Sequence, residues 1–338
     1  MATQPYFKNI RKQILEALDK ATNQISVAVC WFTNENLFDV LCQKLTEGLR
    51  VELIILDDYI NSNPLGCDFS KFLELNGILY LSDVERPMHN KYCIIDNKTI
   101  INGSYNWTYF AEERNEENII IFDDCESLIT EFNADFSRLK ELCRKVEVYK
   151  RKPLLEFENA KNENKAWNTF SVFNMLSNDL FLKSIETNNK VFYQAAKRIT
   201  PDNVYFQRKA VELNWEKQII LNATLSEGLI YDQVHVIFPK DTLIPAESHG
   251  SFTTTRDNQT KMNITILRGE NVNASRNVKV VRYEIENIPS LKAGEASIPT
   301  EYKISTNGKL FITKYIHDTG LVDKRTIDLN TFKLLKNQ

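Results

Sequence analysis

Two apolar patterns alternate along the first part of this 338-residue chain. Phe7, Ile10, Ile14 and Leu18 recur at intervals of three or four residues, which predicts an amphipathic helix. Compact apolar runs elsewhere predict buried strands: ISVAVCWF, VELIILDD, ILYLSD, KYCIID, TIINGS and NIIIF. Because strands alternate with helices, the pattern predicts an α/β/α layered domain over residues 1–147, with a mainly buried sheet.

The pattern changes twice after this domain. Residues 148–165 are rich in charge and contain Pro153, and large apolar residues then follow, so we assign 148–220 to a charged linker and a helical segment. The chain beyond contains short alternating runs separated by turn residues, among them VHVIF, KMNITIL, KVVRYEI and KLFITKYI. These runs predict an antiparallel β-sandwich over residues 221–338.

Composition agrees with a folded protein and limits its partners. The formal net charge is -3, so any nucleic-acid surface has to be a local patch. The first residues show no basic segment followed by an apolar run, and no apolar run approaches the length of a membrane span. The six cysteines match no zinc-binding spacing. We therefore expect a cytoplasmic protein with reduced cysteines, no metal site and no integral membrane association.

Four polar side chains of the first domain are spaced to converge on one phosphate. Because side chains two residues apart share a face of a strand, His89 and Lys91 are predicted to project together. Ser104 and Asn106 repeat this spacing in the next segment. Lysine and the amide offset the negative charge of phosphoryl oxygens. A histidine attacks phosphorus or donates a proton to a leaving oxygen near neutral pH.

The order of these residues resembles a known signature. His89 and Lys91 are followed by Asp96 and then by the segments GSYNWT and NEEN. This set resembles the HKD signature of the phospholipase D superfamily, in the form found in single-motif, Nuc-like endonucleases. The resemblance covers roughly residues 1–147 and includes the segments AVCWFTNENLFDVL and GLRVELIILDD.

The resemblance implies a role for each residue of the set. His89 would be the nucleophile that forms a phosphohistidine, and Lys91, Ser104 and Asn106 would bind the phosphate. Glu117 matches the acidic residue that holds the histidine in its active tautomer, much as the aspartate of a catalytic triad orients its imidazole.

Four further residues match the same family but are not assigned to chemistry. Asp96 falls on the opposite strand face from His89, so we expect it to orient backbone or to contribute to a subunit interface. Asn115 and Thr108 are motif residues, and we expect Trp107 to pack.

The expected reaction uses two histidines of this kind, and the chain supplies one. The chain contains four histidines, and His235, His249 and His317 do not lie in a comparable motif. Single-motif members of the family share one cleft between two copies, so we expect a homodimer through the N-terminal domain with His89 from both chains in one site. Such a mechanism requires no metal and no other cofactor.

The substrate is less defined than the reaction. We expect nucleic acid, either DNA or RNA, with phospholipid as the alternative. Trp31 and Phe32 follow the first strand, and two interpretations are open: they stack bases in the cleft, or they pack in the core. A basic stretch near the domain boundary is either a backbone-binding patch or a solvated face. It comprises Lys140, Arg144, Lys145, Lys150, Arg151 and Lys152.

The second half has a resemblance of its own. Ordered anchors such as LIP, FTT, DNQ, RGE, NIP and TNGKL resemble the β-sandwich substrate-binding domain of DnaK-type chaperones. Phe252, Thr255, Met262 and Ile264 match the positions that line the peptide pocket of that family. The resemblance implies a cleft for a peptide or protein ligand, without an ATP-driven cycle in this chain alone. The alternative is a structural or dimerising module with a closed groove.

Together these patterns favour a metal-independent, homodimeric nuclease whose activity is regulated or targeted by peptide recognition. By analogy, such a pairing suggests an effector of antiviral defence. Two alternatives stay open at this point. One is a phospholipase D-type enzyme that hydrolyses phospholipid with the same residues, and the other is a non-catalytic peptide-binding adaptor.

Overall fold

The computed structural model describes residues 2–151, 169–316 and 319–337. The chain packs as two compact units, Met1–Thr200 and Pro201–Gln338. Most of the predicted linker at 148–165 lies outside the described residues. The α/β class predicted for the first part and the antiparallel β class predicted for the second are both confirmed. The exact domain boundaries drawn from the sequence stay a prediction.

One mixed sheet, with eight strands among the described residues, forms the centre of the first unit. Its strands are β1 (Ala2–Tyr6), β2 (Gln24–Val29), β3 (Arg50–Leu56), β4 (Ile78–Ser82), β5 (Lys91–Ile95), β6 (Thr99–Gly103), β7 (Ile119–Asp123) and β8 (Arg144–Val146). They lie in the order β1-β7-β6-β5-β2-β3-β4-β8. β2, β3 and β4 are parallel, and the other neighbouring pairs are antiparallel.

Helices cover both faces of this sheet. They are α1 (Ile10–Asp19), α2 (Glu35–Thr46), α3 (Phe69–Glu74), α4 (Tyr109–Arg114) and α5 (Glu126–Leu142). Ile25 and Val27 of β2 join an apolar cluster with α1, α2 and α3, whereas Ala28 joins a second cluster with Phe136 and Leu139 of α5. The alternation along β2 therefore separates two helical layers, as the sequence predicted.

Two local details differ from the prediction. Phe7 precedes α1 and is exposed, so it is not part of the helical stripe to which its spacing assigned it. The residues before it, Ala2–Tyr6, form an edge strand that the pattern did not predict, because they contain no apolar run.

A helical hairpin after residue 168 belongs to the first unit. It consists of α6 (Thr169–Glu186) and α7 (Lys190–Ile199). Asp179 of α6 is buried and accepts a hydrogen bond from the N–H of Phe110 in the first turn of α4, at 2.9 Å. Burial raises the pKa of Asp179 to about 6. Lys183, also buried, donates to Glu35 and to the carbonyl of Leu65, both at 2.6 Å. Polar contacts thus fix α6 in place.

The loop between β3 and α3, residues 57–68, is held from several sides. The Tyr149 hydroxyl donates to the carbonyl of Asn61 at 3.1 Å. Arg151 donates to two carbonyls further along the loop, at 3.0 and 3.2 Å. Lys183 of α6 holds the same loop through the carbonyl contact described above. We call residues 57–68 the β3–α3 loop; it is clamped by residues on both sides of the 152–168 segment.

Antiparallel sheets dominate the second unit, which begins with helix α8 (Val204–Glu212). Its strands are β9 (Ile219–Leu221), β10 (Leu225–Gly228), β11 (Val234–Phe238), β12 (Leu243–Ile244), β13 (Ala246–Phe252), β14 (Met262–Arg268), β15 (Val278–Ile285), β16 (Ile298–Ile304), β17 (Lys309–Ile316), β18 (Leu321–Asp328) and β19 (Leu335–Asn337). The sheets have the orders β11-β10-β14-β15, β12-β9-β19 and β13-β16-β17-β18. Gly308 (φ 82°) lies in the turn of the hairpin between β16 and β17.

A charged pair lies inside the second unit. Nζ of Lys314 is 3.0 Å from both carboxylate oxygens of Glu227, and these side chains are 0% and 2% exposed. Tyr302 donates its hydroxyl hydrogen to Glu227, and Lys314 also reaches Oγ1 of Thr300 at 3.2 Å and the ring of Phe252 at 4.2 Å. Burial lowers the pKa of Lys314, and the charge of Glu227 opposes that change. The ion pair is stable here because each charge has several partners.

Replacement of Lys314 by methionine tests this ion pair. Lys314→Met leaves Glu227 buried without its cation, so we expect the free energy of unfolding of the second unit to fall by about 3–5 kcal/mol. The double variant Glu227→Leu/Lys314→Met removes both charges, and we expect it to regain most of that loss. Urea denaturation of the full chain measures both values. Equal destabilisation by the single and double variants would contradict this account.

Candidate functional site

The four residues predicted to converge on a phosphate, His89, Lys91, Ser104 and Asn106, lie at one edge of the first sheet, where the parallel strands end. β2 ends at Val29, which pairs with Lys91 at the start of antiparallel β5. β6 ends at Gly103, which pairs with Ile119 at the start of β7. The segments that follow β2 and β6 and precede β5 and β7 therefore lie side by side. Ligands commonly bind beyond the carboxyl ends of parallel strands.

His89 and Lys91 are brought together at this edge. His89 is exposed, and Nζ of Lys91 lies 3.2 Å from its Nδ1 and 2.6 Å from its carbonyl oxygen. An ammonium group donates hydrogen bonds and accepts none, so Nδ1 of the neutral imidazole accepts and the ring proton lies on Nε2. The sequence predicted the proximity of the two side chains but not this choice of tautomer.

The surroundings keep the His89 imidazole neutral. Partial burial, and then the charge of Lys91, lower the pKa of His89 from its ordinary value of 6.5. Burial also lowers the pKa of Lys91, while Cys30 and Glu117 act in the opposite direction. A neutral imidazole next to a cation suits attack on a negatively charged phosphodiester.

The two other predicted phosphate ligands lie after β6. Ser104 is exposed, and its Oγ accepts from the N–H of Asn118 at 3.1 Å. Asn106 is buried, and its Oδ1 accepts from the N–H of Trp31 at 3.3 Å. A side chain at Gly103 would lie 2.1 Å from the carbonyl oxygen of Asn118, so only glycine permits this close approach.

Glu117 lies near the cation of the site rather than on the imidazole. Among the described hydrogen bonds, its carboxylate accepts from Nδ2 of Asn115 at 2.9 Å and makes none to His89. Its charge opposes the lowering of the pKa of Lys91 by burial, which places the carboxylate near that ammonium group. The expected role of Glu117 in orienting His89 stays a proposal.

Asp96 lies at the far end of β5 from His89, with φ 53°. Its carboxylate accepts from the backbone N–H groups of Thr22, Asn23 and Gln24, each at 2.8 Å. These bonds lower the pKa of Asp96 against the opposing effect of burial. Asp96 therefore orients the backbone that enters β2.

The two aromatic residues after β2 have different environments. Phe32 is fully buried and packs edge-on against Trp107, with 5.0 Å between the ring centroids. Trp31 is half-buried and stands edge-on to His89, with 6.1 Å between the ring centroids and 88° between the planes. Its Nε1 donates to Asp58 at 2.7 Å. Asp58 is not among the predicted site residues, although its position two residues after the end of β3 is a sequence signal for it.

Most described members of the basic stretch have acidic or carbonyl partners. Lys140 pairs with Glu52 at 3.1 Å, and Arg144 pairs with Asp57 at 3.1 Å. Arg151 binds the β3–α3 loop. Lys145 and Lys150 are exposed, and Lys152 lies outside the described residues. These contacts favour the interpretation of a solvated, structural face over a continuous backbone-binding patch.

The residues predicted to line a peptide pocket separate into two groups. Phe252, Met262 and Ile264 belong to or pack against one apolar cluster of the second unit, and Ile264 is 1% exposed. The Phe252 ring also meets His235 edge-on, with 5.4 Å between the centroids. Thr255 is exposed beyond β13, where its backbone N–H donates to Gln259 at 3.0 Å.

The described residues contain neither a metal-binding cluster nor a membrane-spanning helix. No group of three or more histidine, cysteine, aspartate or glutamate side chains there is arranged to hold a metal ion. No helix within the described ranges is both long and apolar enough to cross a bilayer. All six cysteines fall in the described part of the chain, and each is a free thiol.

Comparison with known proteins matches the first unit to phospholipase D-like domains. The family model described as "Cardiolipin synthase, PLD-like domain" matches residues 14–140. A mitochondrial cardiolipin hydrolase of Chlamydomonas reinhardtii is 31% identical over 130 residues, which are 38% of this chain and 57% of that protein. The crystal structure of the phospholipase D family member Nuc from Salmonella typhimurium aligns at TM-score 0.40 and 21% identity, covering 43% of this chain and 97% of Nuc.

A second match covers the other end of the chain. The family model "Hsp70 protein" matches residues 221–337. A ribosome-associated molecular chaperone of Saccharomyces cerevisiae is 31% identical over 104 residues, which are 31% of this chain and 17% of that chaperone. The chain thus spans a little over half of the cardiolipin hydrolase and about a sixth of the chaperone. Both resemblances predicted from the sequence are confirmed: the chain joins a phospholipase D-like domain to a domain like the substrate-binding part of Hsp70 chaperones.

Proposed function

We propose that this protein is a phosphodiesterase-type hydrolase, and more specifically a homodimeric nuclease that acts through a phosphohistidine at His89. The observation that carries the proposal is the 3.2 Å approach of Lys91 Nζ to the exposed His89 ring, at a sheet edge shared with Ser104 and Asn106. The cation, the hydroxyl and the amide offset the charge of the phosphoryl oxygens. The similarity to phospholipase D-like domains supports the hydrolase class.

Substrate binding changes the tautomer of the nucleophile in this mechanism. In the free site Lys91 donates to Nδ1, so the proton lies on Nε2 and blocks attack from that nitrogen. The phosphoryl oxygens compete for the Lys91 ammonium and free Nδ1. The exposed ring then loses its Nε2 proton to water and takes up a proton at Nδ1, where the N–H donates a hydrogen bond toward Glu117. Nε2 then attacks phosphorus, and its lone pair forms the P–N bond as the P–O bond to the leaving group breaks.

The leaving oxygen needs a proton, and a second imidazole supplies it. We assign this role to His89 of the partner subunit in a twofold dimer, because no other histidine of this chain has a comparable setting. Water then attacks the phosphohistidine, the P–N bond breaks, and the same partner imidazole accepts the proton of the water. None of these steps requires a metal ion or a cofactor.

Nucleic acid is the substrate that we favour, either DNA or RNA. The half-buried indole of Trp31 beside His89 supports this choice, because aromatic side chains stack on bases. Phospholipid is the rival substrate, and the 31% identity to a mitochondrial cardiolipin hydrolase favours it. Both substrates are phosphodiesters that the same residues would cleave.

The second unit is proposed to recognise a peptide or a protein and thereby to regulate or target the hydrolase. Its similarity to Hsp70 and the apolar cluster around Phe252, Met262 and Ile264 support this role. A protein-triggered nuclease fits the context of antiviral defence. The free cysteines fit a reducing compartment, for which we propose the cytoplasm.

Removal of the nucleophile tests the reaction. His89→Ala is expected to lower kcat by about 10⁴-fold or more on the true substrate, because no other group replaces the attacking imidazole. The assay offers single-stranded DNA, RNA and cardiolipin vesicles to the full chain in EDTA. His249→Ala, an exposed histidine of the second unit, is the matched control and should retain full activity. Hydrolysis of cardiolipin alone would reject the nuclease in favour of the lipid enzyme.

Mixed dimers test the shared site. Wild-type and His89→Ala chains, mixed in equal amounts and allowed to exchange, should retain about one quarter of the activity, since only dimers with two intact histidines turn over. Independent sites would retain about one half. Sedimentation velocity on the same samples reports the assembly state. Full activity in a species that sediments as a monomer would exclude this mechanism.

The positive charge of Lys91 beside His89 leads to a prediction about the pKa of His89. Lys91→Met removes a positive charge that lowers the pKa of His89, so that pKa should rise toward 6.5 while the part caused by burial remains. Histidine-selective NMR titration measures it, with four histidines in the chain and His249 as an internal reference. A Lys91→Met variant whose His89 titrates as in the wild type would show that the two groups do not interact.

A further inference from the structure

Trp31 occupies a position that neither core packing nor the phosphate chemistry explains. It follows β2 and stands edge-on to the proposed nucleophile His89. It is not a member of the two apolar clusters described above on the faces of the first sheet, whereas the adjacent Phe32 belongs to one of them. Trp31 is also half-buried, so part of its ring is open to solvent. A large aromatic ring held beside a reactive group provides a contact surface for a ligand.

The indole is fixed through Asp58. Nε1 of Trp31 donates to Oδ2 of Asp58 at 2.7 Å, and Oδ1 of the same carboxylate accepts from the N–H groups of Ile60 and Asn61 at 3.0 Å. Asp58 is 7% exposed, so solvent does not compete strongly for these bonds. A ring that is held at its nitrogen keeps one orientation. The conformational entropy of its side chain is therefore lost on folding and not on ligand binding.

The backbone around Trp31 is held just as firmly. Asn61 accepts from the N–H of Phe32 at 2.7 Å and donates to the carbonyls of Cys30 and Leu56, each at 2.8 Å. Asn106 accepts from the N–H of Trp31 itself. The residues on both sides of the tryptophan are therefore tied to the loop that carries Asp58.

We propose that Trp31, oriented by Asp58, is the specificity-determining wall of the site and stacks an unpaired nucleobase next to the scissile phosphate. This inference rests on the proposed nuclease function and narrows its substrate to single-stranded nucleic acid. The indole N–H is occupied by Asp58, so recognition by Trp31 uses the ring itself, and an aromatic face stacks on any base. Bases in a duplex are already stacked and paired, which makes them poor ligands for such a wall.

A pair of substrates separates base stacking from phosphate chemistry. One is a single-stranded oligothymidylate, and the other has the same length with abasic residues in place of the central nucleotides. Stacking is worth about 1–3 kcal/mol per base, so the wild type should prefer the base-containing strand by roughly 5- to 150-fold in kcat/KM. Trp31→Ala should bring that ratio close to 1, and Trp31→Phe should keep much of it. Phe7→Ala, an exposed aromatic residue elsewhere, should keep the wild-type ratio.

Two failures are distinguishable. If the wild type cleaves both strands and Trp31→Ala keeps the full preference for bases, the stacking wall is wrong while the nuclease stands. If the wild type cleaves no nucleic acid, the proposed function fails and this inference fails with it.

A binding measurement covers the case in which Trp31→Ala does not fold. In full-length His89→Ala protein, the oligothymidylate should quench tryptophan fluorescence more than the abasic strand does. Trp31→Phe in that background should abolish the difference, and Asp58→Asn should weaken it. An unchanged difference in Trp31→Phe would overturn the proposal.

Discussion

The antiparallel register between β2 and β5 is the constraint on which the candidate site depends. It sets Val29 opposite Lys91, so the segment that leaves β2 runs beside the segment that enters β5. A shift of one residue would turn Lys91 into the layer of α5 and bring Tyr92 to the site. The apolar side chains prevent this shift, because Tyr92 packs with α5 while Cys93 packs in the opposite layer. The geometry of a polar site is thus fixed by apolar contacts.

Much of this arrangement could be predicted from local patterns, and the remainder could not for a physical reason. Most strands of the first sheet, α1 and the grouping of His89, Lys91, Ser104 and Asn106 follow from periodicity and motif spacing. The bond from Trp31 to Asp58 joins two loops 27 positions apart, and only tertiary pairing brings them together. The same holds for α6, whose buried Asp179 and Lys183 look like surface residues in the sequence. The tautomer of His89 depends on a rotamer of Lys91, which no sequence pattern encodes.

One inward-facing position in the core of the second unit departs from the alternation of apolar and polar residues along its strands. Alternation along β17 places Lys314 on the inner face, where the pattern calls for an apolar side chain. Glu227 and Thr300 accept hydrogen bonds from Lys314, and Tyr302 donates to Glu227, so both charges of the buried pair have partners. Such a pair contributes little net stability compared with an apolar core, but it penalises every packing that separates its members. The pair therefore fixes the relative position of the sheet that contains β10 and the sheet that contains β17, next to Phe252.

The clamped β3–α3 loop connects the candidate site thermodynamically to helix α6. The loop carries Asp58 at one end, and it is gripped by Tyr149 and Arg151 on one side of the 152–168 segment and by Lys183 on the other. A ligand that tightens the loop by pressing on Trp31 also strengthens the docking of α6. By reciprocity, any change that loosens the docking of α6 weakens the binding of that ligand by the same free energy. Lys183 of α6 and the Asp58 that holds Trp31 are attached to the same loop.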